Sequence, residues 1–393
     1  MQKQEQTTPT LRFSDFKDDW VSETLGNYFN FKNGVNADKS AYGRGHKFIN
    51  VLDIISDIPL AYDRILDSVD ISDDEFKKNE VLYGDILFQR SSETREEVGQ
   101  SNVYIDAHKP ATFGGFVIRG RPIKEQVPLY FHYLLKTTKA RKDMTVRSGG
   151  STRYNIGQES LSEVSIDIAP TLQEQQKIAE FLGTVDEKIT QLQKKKSLLE
   201  NYKKGCMQKL FSQEIRFKDD NGNSFLDWEE KRLNQIATKT ASIVTADSLE
   251  GRYGNYPVYG ASGIAGYIDS YASEKQHISI VKDGAGVGRV FLCPERSSVL
   301  GTLDSIIGQS ENQTSFIYYW LSQLPFRPFI TGSTIPHIYF RDYGKKRAKF
   351  PHSDEQKKIA DFLSMIDNKI TLVSEELDKA QTFKKGLLQQ MFV

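Results

Sequence analysis

Two long stretches of the sequence carry apolar residues at alternating steps of four and three positions. In the first stretch these positions run from Ile178 to Leu210, and eight of the ten are apolar. In the second they run from Ile359 to Met391, and nine of the ten are apolar. An apolar seam that repeats about every 3.5 residues is typical of helices that wind around each other. The pattern therefore predicts two long helices that pair along these seams.

The two stretches are also copies of each other. Residues 170–211 align without a gap on residues 351–392, and 17 of the 42 aligned positions are identical. An internal repeat of this kind indicates one structural unit that is present twice. Landmarks outside the stretches recur in the same order: Arg12-Phe13, Trp20 and Leu25 with Arg216-Phe217, Trp228 and Leu233; the aromatic run 129–135 with 315–321; and Gly-Ser-Thr at 150–152 with 332–334.

The remaining segments mix strand and helix patterns. Tyr83–Phe88 and His277–Val281 are typical of short strands, the aromatic runs are typical of helices, and Tyr259–Gly266 is typical of glycine-rich turns. We predict an α+β fold with two globular domains joined by two long helices, which form an antiparallel coiled coil with pseudo-two-fold symmetry. The predicted parts are a first globular domain (1–169), a central helix (170–212), a second globular domain (213–350) and a C-terminal helix (351–393).

Charge is balanced over the whole chain but not along it. The 393 residues include 52 Lys and Arg and 52 Asp and Glu, so any binding to nucleic acid would depend on local patches. Lys136–Arg153 has a net charge of +5 and Arg341–Lys349 of +4, whereas residues 53–80 have −6. The two basic segments lie near the repeated Gly-Ser-Thr, which favours them as corresponding contacts to phosphate.

The sequence contains no pattern that points to a membrane. No run approaches 18 apolar residues, and Met1–Trp20 lacks the apolar core of a signal peptide. The two cysteines, Cys206 and Cys293, are too few for a disulfide framework. We therefore expect a soluble, cytoplasmic protein with no membrane partner.

No catalytic motif is recognisable either. The chain lacks G-x-x-x-x-G-K-[ST], G-x-G-x-x-G, G-x-S-x-G and an Asn/Asp-Pro-Pro-aromatic motif. Its six histidines have no metal-binding spacing, and Cys206 lies on a seam. We expect no catalytic residue, metal or cofactor on this chain, and a self-sufficient DNA methyltransferase or nuclease is the least supported alternative.

One motif opens each predicted helix. It reads EQQKIAEFL at Glu174–Leu182 and EQKKIADFL at Glu355–Leu363, and each copy is followed by D-x-K-I-T from Asp186 or Asp367. This duplicated E-Q-x-x-I-A-x-F-L pattern resembles the specificity (S) subunits of type I restriction-modification enzymes. Within the domains, Gly84–Phe88 and Tyr256–Gly260 are similar to the target-recognition domains of that family.

The resemblance implies a non-catalytic DNA sequence-specificity subunit. Each globular domain would read one half of a bipartite target in double-stranded DNA. The helices would set the half-site spacing and dock two methyltransferase (M) subunits, and restriction/translocase (R) subunits would complete the complex. S-adenosylmethionine is expected on the M subunits and not on this chain. The residues alone leave open an alternative, a non-DNA coiled-coil scaffold that binds two copies of a protein partner.

Candidate DNA contacts are basic and polar residues on predicted loops, because arginine can bind guanine with two hydrogen bonds and hydroxyl groups can bind bases or phosphates. Which bases they would read does not follow from the sequence. In the first domain the candidates are Arg90, Ser92, Thr94, Arg95, Arg141, Arg147, Ser151, Thr152, Arg153 and Tyr154. In the second domain they are Lys282, Arg289, Ser333, Thr334, His337, Arg341, Lys345 and Lys346.

Overall fold

The computed structural model describes residues 8–251 and 253–393, except for the side chains of Glu311 and Asn312. Met1–Thr7, which the predicted first domain includes, lie outside the described residues. The chain divides into two compact units. The first unit extends to Gln193 and includes Glu375–Val393, and the second is Lys194–Ser374. Each division falls inside a long helix, because each half of a helix packs on the globular part beside it.

The globular part of the first unit mixes short strands and short helices. Its strands are β1 (Val21–Thr24), β2 (Phe29–Asn33), β3 (Tyr42–Ile49), β4 (Ser68–Val69), β5 (Ile86–Gln89), β6 (Ser91–Ser92), β7 (Ser101–Val103), β8 (Thr112–Phe113), β9 (Val117–Pro122), β10 (Tyr154–Asn155) and β11 (Ser165–Ile168). Its helices are α1 (Val51–Ile54), α2 (Asp73–Lys78), α3 (Pro128–Leu134), α4 (Thr138–Arg147) and α5 (Gln158–Ser162), and the long helix α6 (Leu172–Phe211) follows.

The globular part of the second unit also consists of short strands and short helices. Its strands are β12 (Glu229–Arg232), β13 (Ala237–Ala241), β14 (Tyr256–Gly260), β15 (Gly263–Ile268), β16 (His277–Val281), β17 (Val290–Cys293), β18 (Ser298–Val299), β19 (Leu303–Gly308) and β20 (Arg347–Phe350). Its helices are α7 (Leu233–Ile236), α8 (Glu311–Leu321) and α9 (Phe340–Tyr343), and the long helix α10 (Ser353–Gln390) follows.

Three sheets recur in the two units with the same topology. An antiparallel four-stranded sheet has the order β2-β9-β5-β7 in the first unit and β13-β19-β16-β17 in the second. A three-stranded sheet has the order β4-β3-β8 or β15-β14-β18, and in both it contains one parallel pair. The two-stranded sheets β1-β11 and β12-β20 connect the start of each globular part to its end. The predicted α+β fold is confirmed, and the repeat extends to the order of the strands.

Of three predicted local segments, the structure confirms one and corrects two. His277–Val281 forms β16, as predicted, whereas the strand expected at Tyr83–Phe88 begins only at Ile86. The reason is a turn at Gly84, which has a φ of +87° that other residues rarely adopt. Tyr259–Gly266 was predicted to be a run of turns, but it lies mostly in the hairpin between β14 and β15.

The aromatic runs form the helices that fill each core. In α3, Tyr130, Phe131 and Tyr133 are buried, and in α8, Phe316 and Tyr319 are buried. Pro128 starts α3, and the hydroxyl group of Ser310 caps α8 by accepting a hydrogen bond from the backbone of Gln313 at 3.2 Å. A helix that is apolar on most sides needs cover on most sides, and the sheets and the long helices supply it.

The long helices pair in an antiparallel sense within each unit. In the first unit, the start of α6 at residues 178–182 shares a core with residues 387–392, which are the end of α10 and the two residues that follow it. In the second unit, the end of α6 at residues 207–210 shares a core with the start of α10 at residues 359–366. All twenty predicted seam positions are buried or half-buried. The seams are therefore confirmed.

A lysine that interrupts the seam is paired within each unit. In the first unit, Lys384 Nζ lies 2.6 Å from Asp186 Oδ1, and the hydroxyl group of Tyr133 donates to Asp186 Oδ2 at 2.8 Å. This cluster connects α3 to both long helices, so the charged seam position is compatible with packing. The second unit contains the same cluster, formed by Lys203, Asp367 and Tyr319.

The glutamate of the repeated motif is fully buried at the start of each long helix. Glu174 accepts hydrogen bonds from Arg12 Nε and Nη2 at 2.7 and 2.9 Å and from Trp20 Nε1 at 3.2 Å. The next residue, Gln175, donates to the backbone carbonyl of Ala169 at 3.0 Å. The motif therefore fastens the beginning of the globular part to the helix. In the second unit the same bonds join Glu355 to Arg216 and Trp228, and Gln356 to Pro351.

We predict that Glu355→Ala lowers the free energy of unfolding by about 3 kcal/mol, because the fully buried carboxylate and its hydrogen bonds to the half-buried Arg216 and the buried Trp228 are lost. Arg216 and Trp228 would then lack the acceptor that they share. Urea denaturation of the purified chain measures the change. Glu376→Ala, an exposed position on the same helix, is the control and should change the value by less than about 0.5 kcal/mol. Equal losses in the two variants would contradict the assigned role of the buried carboxylate.

Candidate nucleic-acid interface

A seven-residue hairpin follows the aromatic helix in each unit, with Gly-Ser-Thr at its tip. In hairpin 1 (Gly149–Asn155), the end residues exchange two backbone hydrogen bonds with N–O distances of 2.9 and 2.8 Å. In hairpin 2 (Thr331–His337), the same two bonds have N–O distances of 2.8 and 2.7 Å. The repeated tripeptide therefore marks the same backbone shape in both units.

The glycine of each tripeptide is required by this shape. Gly150 and Gly332 have φ angles of +125° and +87°, which residues with a side chain rarely adopt. A Cβ atom at Gly150 would lie 2.0 Å from the carbonyl oxygen of Arg153, and one at Gly332 would lie 2.4 Å from that of Ile335. Only glycine fits at these positions without a shift of the backbone.

A second loop begins where a central strand of each four-stranded sheet ends. Strand-end loop 1 covers residues 90–98 after β5, and strand-end loop 2 covers residues 282–287 after β16. Each loop is closed by a hydrogen bond back to the last residue of its strand, from Gly99 N to Gln89 O at 2.9 Å or from Gly288 N to Val281 O at 2.8 Å. The two units therefore also share this feature.

One hydrogen bond attaches the hairpin to the strand-end loop in each unit. The amide of Ile156 donates to the carbonyl of Arg90 at 3.0 Å, and the amide of Ile338 donates to the carbonyl of Lys282 at 2.9 Å. Both isoleucines are buried. Predicted residues that are more than fifty positions apart in sequence thus lie side by side. We call the two combined regions loop surface 1 (residues 90–98 and 149–155) and loop surface 2 (residues 282–289 and 331–337).

Side-chain contacts make each loop surface more rigid. In the first unit β6 pairs with β10, and the Ser91 hydroxyl group is hydrogen-bonded to the side chain of Asn155. In the second unit the imidazole Nδ1 of His337 lies 2.7 Å from Asp283 Oδ1. A reading surface needs such fixed side chains, because a hydrogen-bonding pattern is distinguished only from a defined position.

Most of the predicted contacts are accessible on the loop surfaces. The half-buried ones are Arg90, Tyr154, Lys282 and His337. Ser92 is buried, and its hydroxyl group donates to the carbonyl of Thr94, so we remove it from the candidate contacts. The exposed ones are Thr94, Arg95, Ser151, Thr152, Arg153, Arg289, Ser333 and Thr334.

Arg141 and Arg147 support loop surface 1 from within the fold. Arg141 Nη2 donates to the carbonyl groups of Glu96 and Val98 at 2.8 and 2.6 Å, and burial lowers its pKa to about 10. Arg147 forms ion pairs with Asp143 at 3.1 Å and with Glu163 at 2.7 Å. Their guanidinium groups are already engaged, so we also remove both from the candidate contacts.

The basic segment 136–153 is therefore less cationic in space than in sequence. Lys136 pairs with Asp57 at 3.2 Å, and Lys139 pairs with Asp167. These acids lie far from the lysines in sequence, so a count of charges along the chain overestimates the free positive charge. Of the six cations in this segment, only Lys142 and Arg153 are exposed without an ion pair among the described residues.

Arg341 extends loop surface 2 through an aromatic ring that the sequence reasoning missed. The guanidinium group of Arg341 lies 4.7 Å from the centre of the Tyr339 ring, which is stacked on the His337 ring at 6.5 Å. Tyr339 is 42% exposed, and its place between two candidates could have indicated it. Lys345 and Lys346 are exposed between α9 and β20, and no described hydrogen bond or ion pair joins them to hairpin 2.

Within residues 8–251 and 253–393, no group of three or more His, Cys, Asp or Glu could hold a metal ion. Burial raises the pKa of the Cys293 thiol to about 11, which disfavours the nucleophilic thiolate. Burial also lowers the pKa of His132 well below its ordinary value. In the same residues, no helix has both the length and the apolar character needed to cross a bilayer.

Comparison with known proteins identifies the family that the sequence matches. A sequence model described as "Type I restriction modification DNA specificity domain" matches residues 17–201 and again residues 226–382, which together form most of the chain. A protein of Methanocaldococcus jannaschii described as the type I restriction enzyme MjaX specificity subunit is 25% identical, over 98% of this chain and 95% of its own length. The MjaIX specificity subunit of the same organism is 23% identical over 67% of both chains.

Solved structures show the same fold. The S subunit of a type I restriction-modification system from M. genitalium has a TM-score of 0.69 and 18% identity, over 98% of this chain and 99% of that chain. A chain from a structure on complex assembly and conformational transition of the type I R-M system has a TM-score of 0.50 and 13% identity, over 95% and 97% of the two chains. At these identities the likeness concerns the fold.

The glycine requirement predicts opposite changes in stability for two Gly→Ala substitutions. We predict that Gly332→Ala destabilises the protein by about 1–2 kcal/mol, because alanine must adopt a left-handed conformation. Gly205→Ala in α6 is the control, since a Cβ atom there meets no neighbouring residue within 4 Å. This variant should stabilise the protein by about 0.5–1 kcal/mol, because alanine favours a helix. Urea denaturation measures both, and a stabilising Gly332→Ala would contradict the hairpin geometry.

Proposed function

The chain belongs to the type I restriction-modification DNA specificity family, and we propose that each of its two globular domains reads one half of a bipartite target in double-stranded DNA. It is a specificity subunit with two target-recognition domains. The observation that carries the proposal is the pair of loop surfaces, which have one backbone frame and different side chains.

The two loop surfaces differ in the side chains and loop lengths that would determine which bases each domain recognises. After Gly-Ser-Thr, hairpin 1 continues with Arg153-Tyr154-Asn155 and hairpin 2 with Ile335-Pro336-His337. The strand-end loops also differ in length, because loop 1 covers residues 90–98 and loop 2 covers residues 282–287. Two surfaces with different hydrogen-bonding groups on the same frame would bind different base sequences in the same way. This arrangement favours DNA reading over a scaffold that binds two copies of one protein through its domains.

We assign the contacts by exposure and position. Arg153 is exposed, and its guanidinium group has no hydrogen bond to a described residue. Arg95 and Arg289 are also exposed, and each uses only one donor on a backbone carbonyl group, at 3.2 and 3.1 Å. All three are therefore suited to guanine or to phosphate. Lys345 and Lys346 lie outside loop surface 2 and would bind phosphates. The full proposed set is Arg90, Thr94, Arg95, Ser151, Thr152, Arg153 and Tyr154 in the first domain, and Lys282, Arg289, Ser333, Thr334, His337, Arg341, Lys345 and Lys346 in the second.

The long helices are proposed to act as a spacer. α6 and α10 contain 40 and 38 residues, so each is roughly 60 Å long. Half-sites that are read from one face of DNA lie about 34–36 Å apart, or multiples of this distance. Helices of this length can set such a separation.

The outer faces of the helices are proposed to dock two M subunits, and R subunits would join the complex. Tyr202 and Phe383 support this proposal, because they occupy equivalent positions in the two copies of the helix and are 55% and 56% exposed. A surface that is present twice is suited to two copies of one partner. In this arrangement S-adenosylmethionine and the chemistry belong to the M subunits, and this chain contributes recognition without catalysis.

Exchange of the second domain tests the assignment of half-sites. We expect a chain in which residues 213–350 come from a family relative with another target to methylate a new motif in cells that also contain the M subunits. One half of the motif should change and the other half should remain, because the first domain is unaltered. Methylome sequencing reads both halves directly. The reciprocal exchange of residues 1–169 is the control, and a change in both halves after either exchange would contradict the proposal.

Insertion of one heptad tests the spacer. Seven residues added after Gln193 and seven after Ser374 preserve the seam and lengthen the helix pair by about 10 Å. At about 3.4 Å per base pair, the gap between the half-sites should widen by about three base pairs. An insertion of the same size after Asn221, in an exposed turn, should leave the gap unchanged. An unchanged gap in the heptad variant would show that the helices do not set it.

A further inference from the structure

The two hairpins share the Ser-Thr sequence at their tips but differ in the three residues that follow it. Ser151-Thr152 and Ser333-Thr334 follow the required glycines in both units, whereas all three following positions differ. The glycines are explained by the backbone. The serines and threonines are not, because a turn of this shape places no such demand on exposed side chains.

The fold itself makes no use of these hydroxyl groups. All four side chains are exposed, and none forms a hydrogen bond with another described residue. The backbone amides of Ser151, Thr152, Ser333 and Thr334 also have no acceptor among the described residues. Each tip therefore presents two hydroxyl groups and two amide groups as free donors at the same place on the same frame.

A ligand that meets both tips must offer the same chemistry at both half-sites. Bases differ between the half-sites, but the phosphate groups do not. Hydroxyl groups and backbone amides are common donors to phosphate oxygens, and successive amides in a turn form a concave anion site. Arg90 and Lys282 also hold equivalent positions at the base of the two loop surfaces. Lys282 is paired with Asp304 at 3.5 Å, whereas Arg90 forms no ion pair with a described residue.

We infer that the Ser-Thr pair of each hairpin binds a DNA phosphate group without regard to sequence, and that the three residues after it discriminate bases. This inference rests on the proposed function. It assigns phosphate binding and base discrimination to different residues of each loop surface. The phosphate contact fixes the position of the hairpin on the duplex. The following residues then face base edges from a defined distance, with Asn155 held by Ser91 and His337 held by Asp283.

The first experiment removes the hydroxyl groups in one unit. In the complex with the M subunits, Ser333→Ala combined with Thr334→Ala should weaken binding to target and to random duplex by the same factor. This factor should be at least about 10-fold, because two hydroxyl donors to a charged phosphate group are lost. The slope of log affinity against log salt concentration should stay unchanged, because neutral donors release no counterions. The methylated motif should also stay unchanged. Ser151→Ala combined with Thr152→Ala should behave in the same way.

Two controls separate this contact from others. Lys345→Ala combined with Lys346→Ala should reduce the salt slope by about 2, because charged contacts release counterions. Ser322→Ala, an exposed serine at the end of α8 with a hydrogen bond to Tyr318, should leave the affinity unchanged. An unchanged unfolding midpoint shows that each variant is folded.

The second experiment transfers the proposed reading residues. Replacing Ile335-Pro336-His337 by Arg-Tyr-Asn should alter the second half of the methylated motif while affinity for random duplex stays within about 2-fold. A changed motif in the Ser-Thr variants, a larger loss on target than on random duplex, or wild-type affinity in these variants would overturn the inference alone. Absence of salt-dependent duplex binding by the wild-type complex would overturn the proposed function as well.

Discussion

The buried glutamate at the start of each long helix is the interaction on which the arrangement of each unit depends. Glu174 is fully buried, its charge is compensated by Arg12, and Trp20 donates a further hydrogen bond. Both partners lie more than 150 residues earlier in the sequence. A buried carboxylate without its donors destabilises the folded state. The beginning of the globular part is therefore held at the position on the helix where Arg12 and Trp20 reach the carboxylate. The hairpin and the strand-end loop belong to the globular part that this contact fastens to the helix.

The long helices were predictable because their signals are local and strong. The seam and the opening motif predicted helices within residues 170–212 and 351–393, and the structure has them at Leu172–Phe211 and Ser353–Gln390. The strand order was not predictable, because neighbouring strands such as β5 and β9 pair across long stretches of chain. Glycine-rich sequence was a poor guide at Tyr259–Gly266, where Gly260 and Gly263 border the turn of a hairpin and Gly266 lies within a strand.

The candidate site was predictable in its loops but not in its charges. Gly-Ser-Thr in both halves pointed to a repeated element, and the structure gives it the same hydrogen bonds twice. Arg141 and Arg147 were candidates because the sequence shows cations and not their partners. Their partners are carbonyl groups of another loop and the carboxylate of Glu163, which only the folded chain brings near. Tyr339 was missed because its role comes from its contacts with the His337 ring and the Arg341 guanidinium group.

A frame made of backbone hydrogen bonds can stay fixed while its side chains change. The bonds that join Ile156 to Arg90 and Ile338 to Lys282 involve only main-chain atoms, so substitutions in the exposed parts of the loops leave them intact. Side chains that the fold requires, such as the buried glutamates, and the glycines of the hairpins recur in both units because either unit is less stable without them. Exposed side chains that recur without such a requirement need another cause. A ligand feature that is common to both units supplies one, and the exposed side chains that differ are then free to specify what each unit reads.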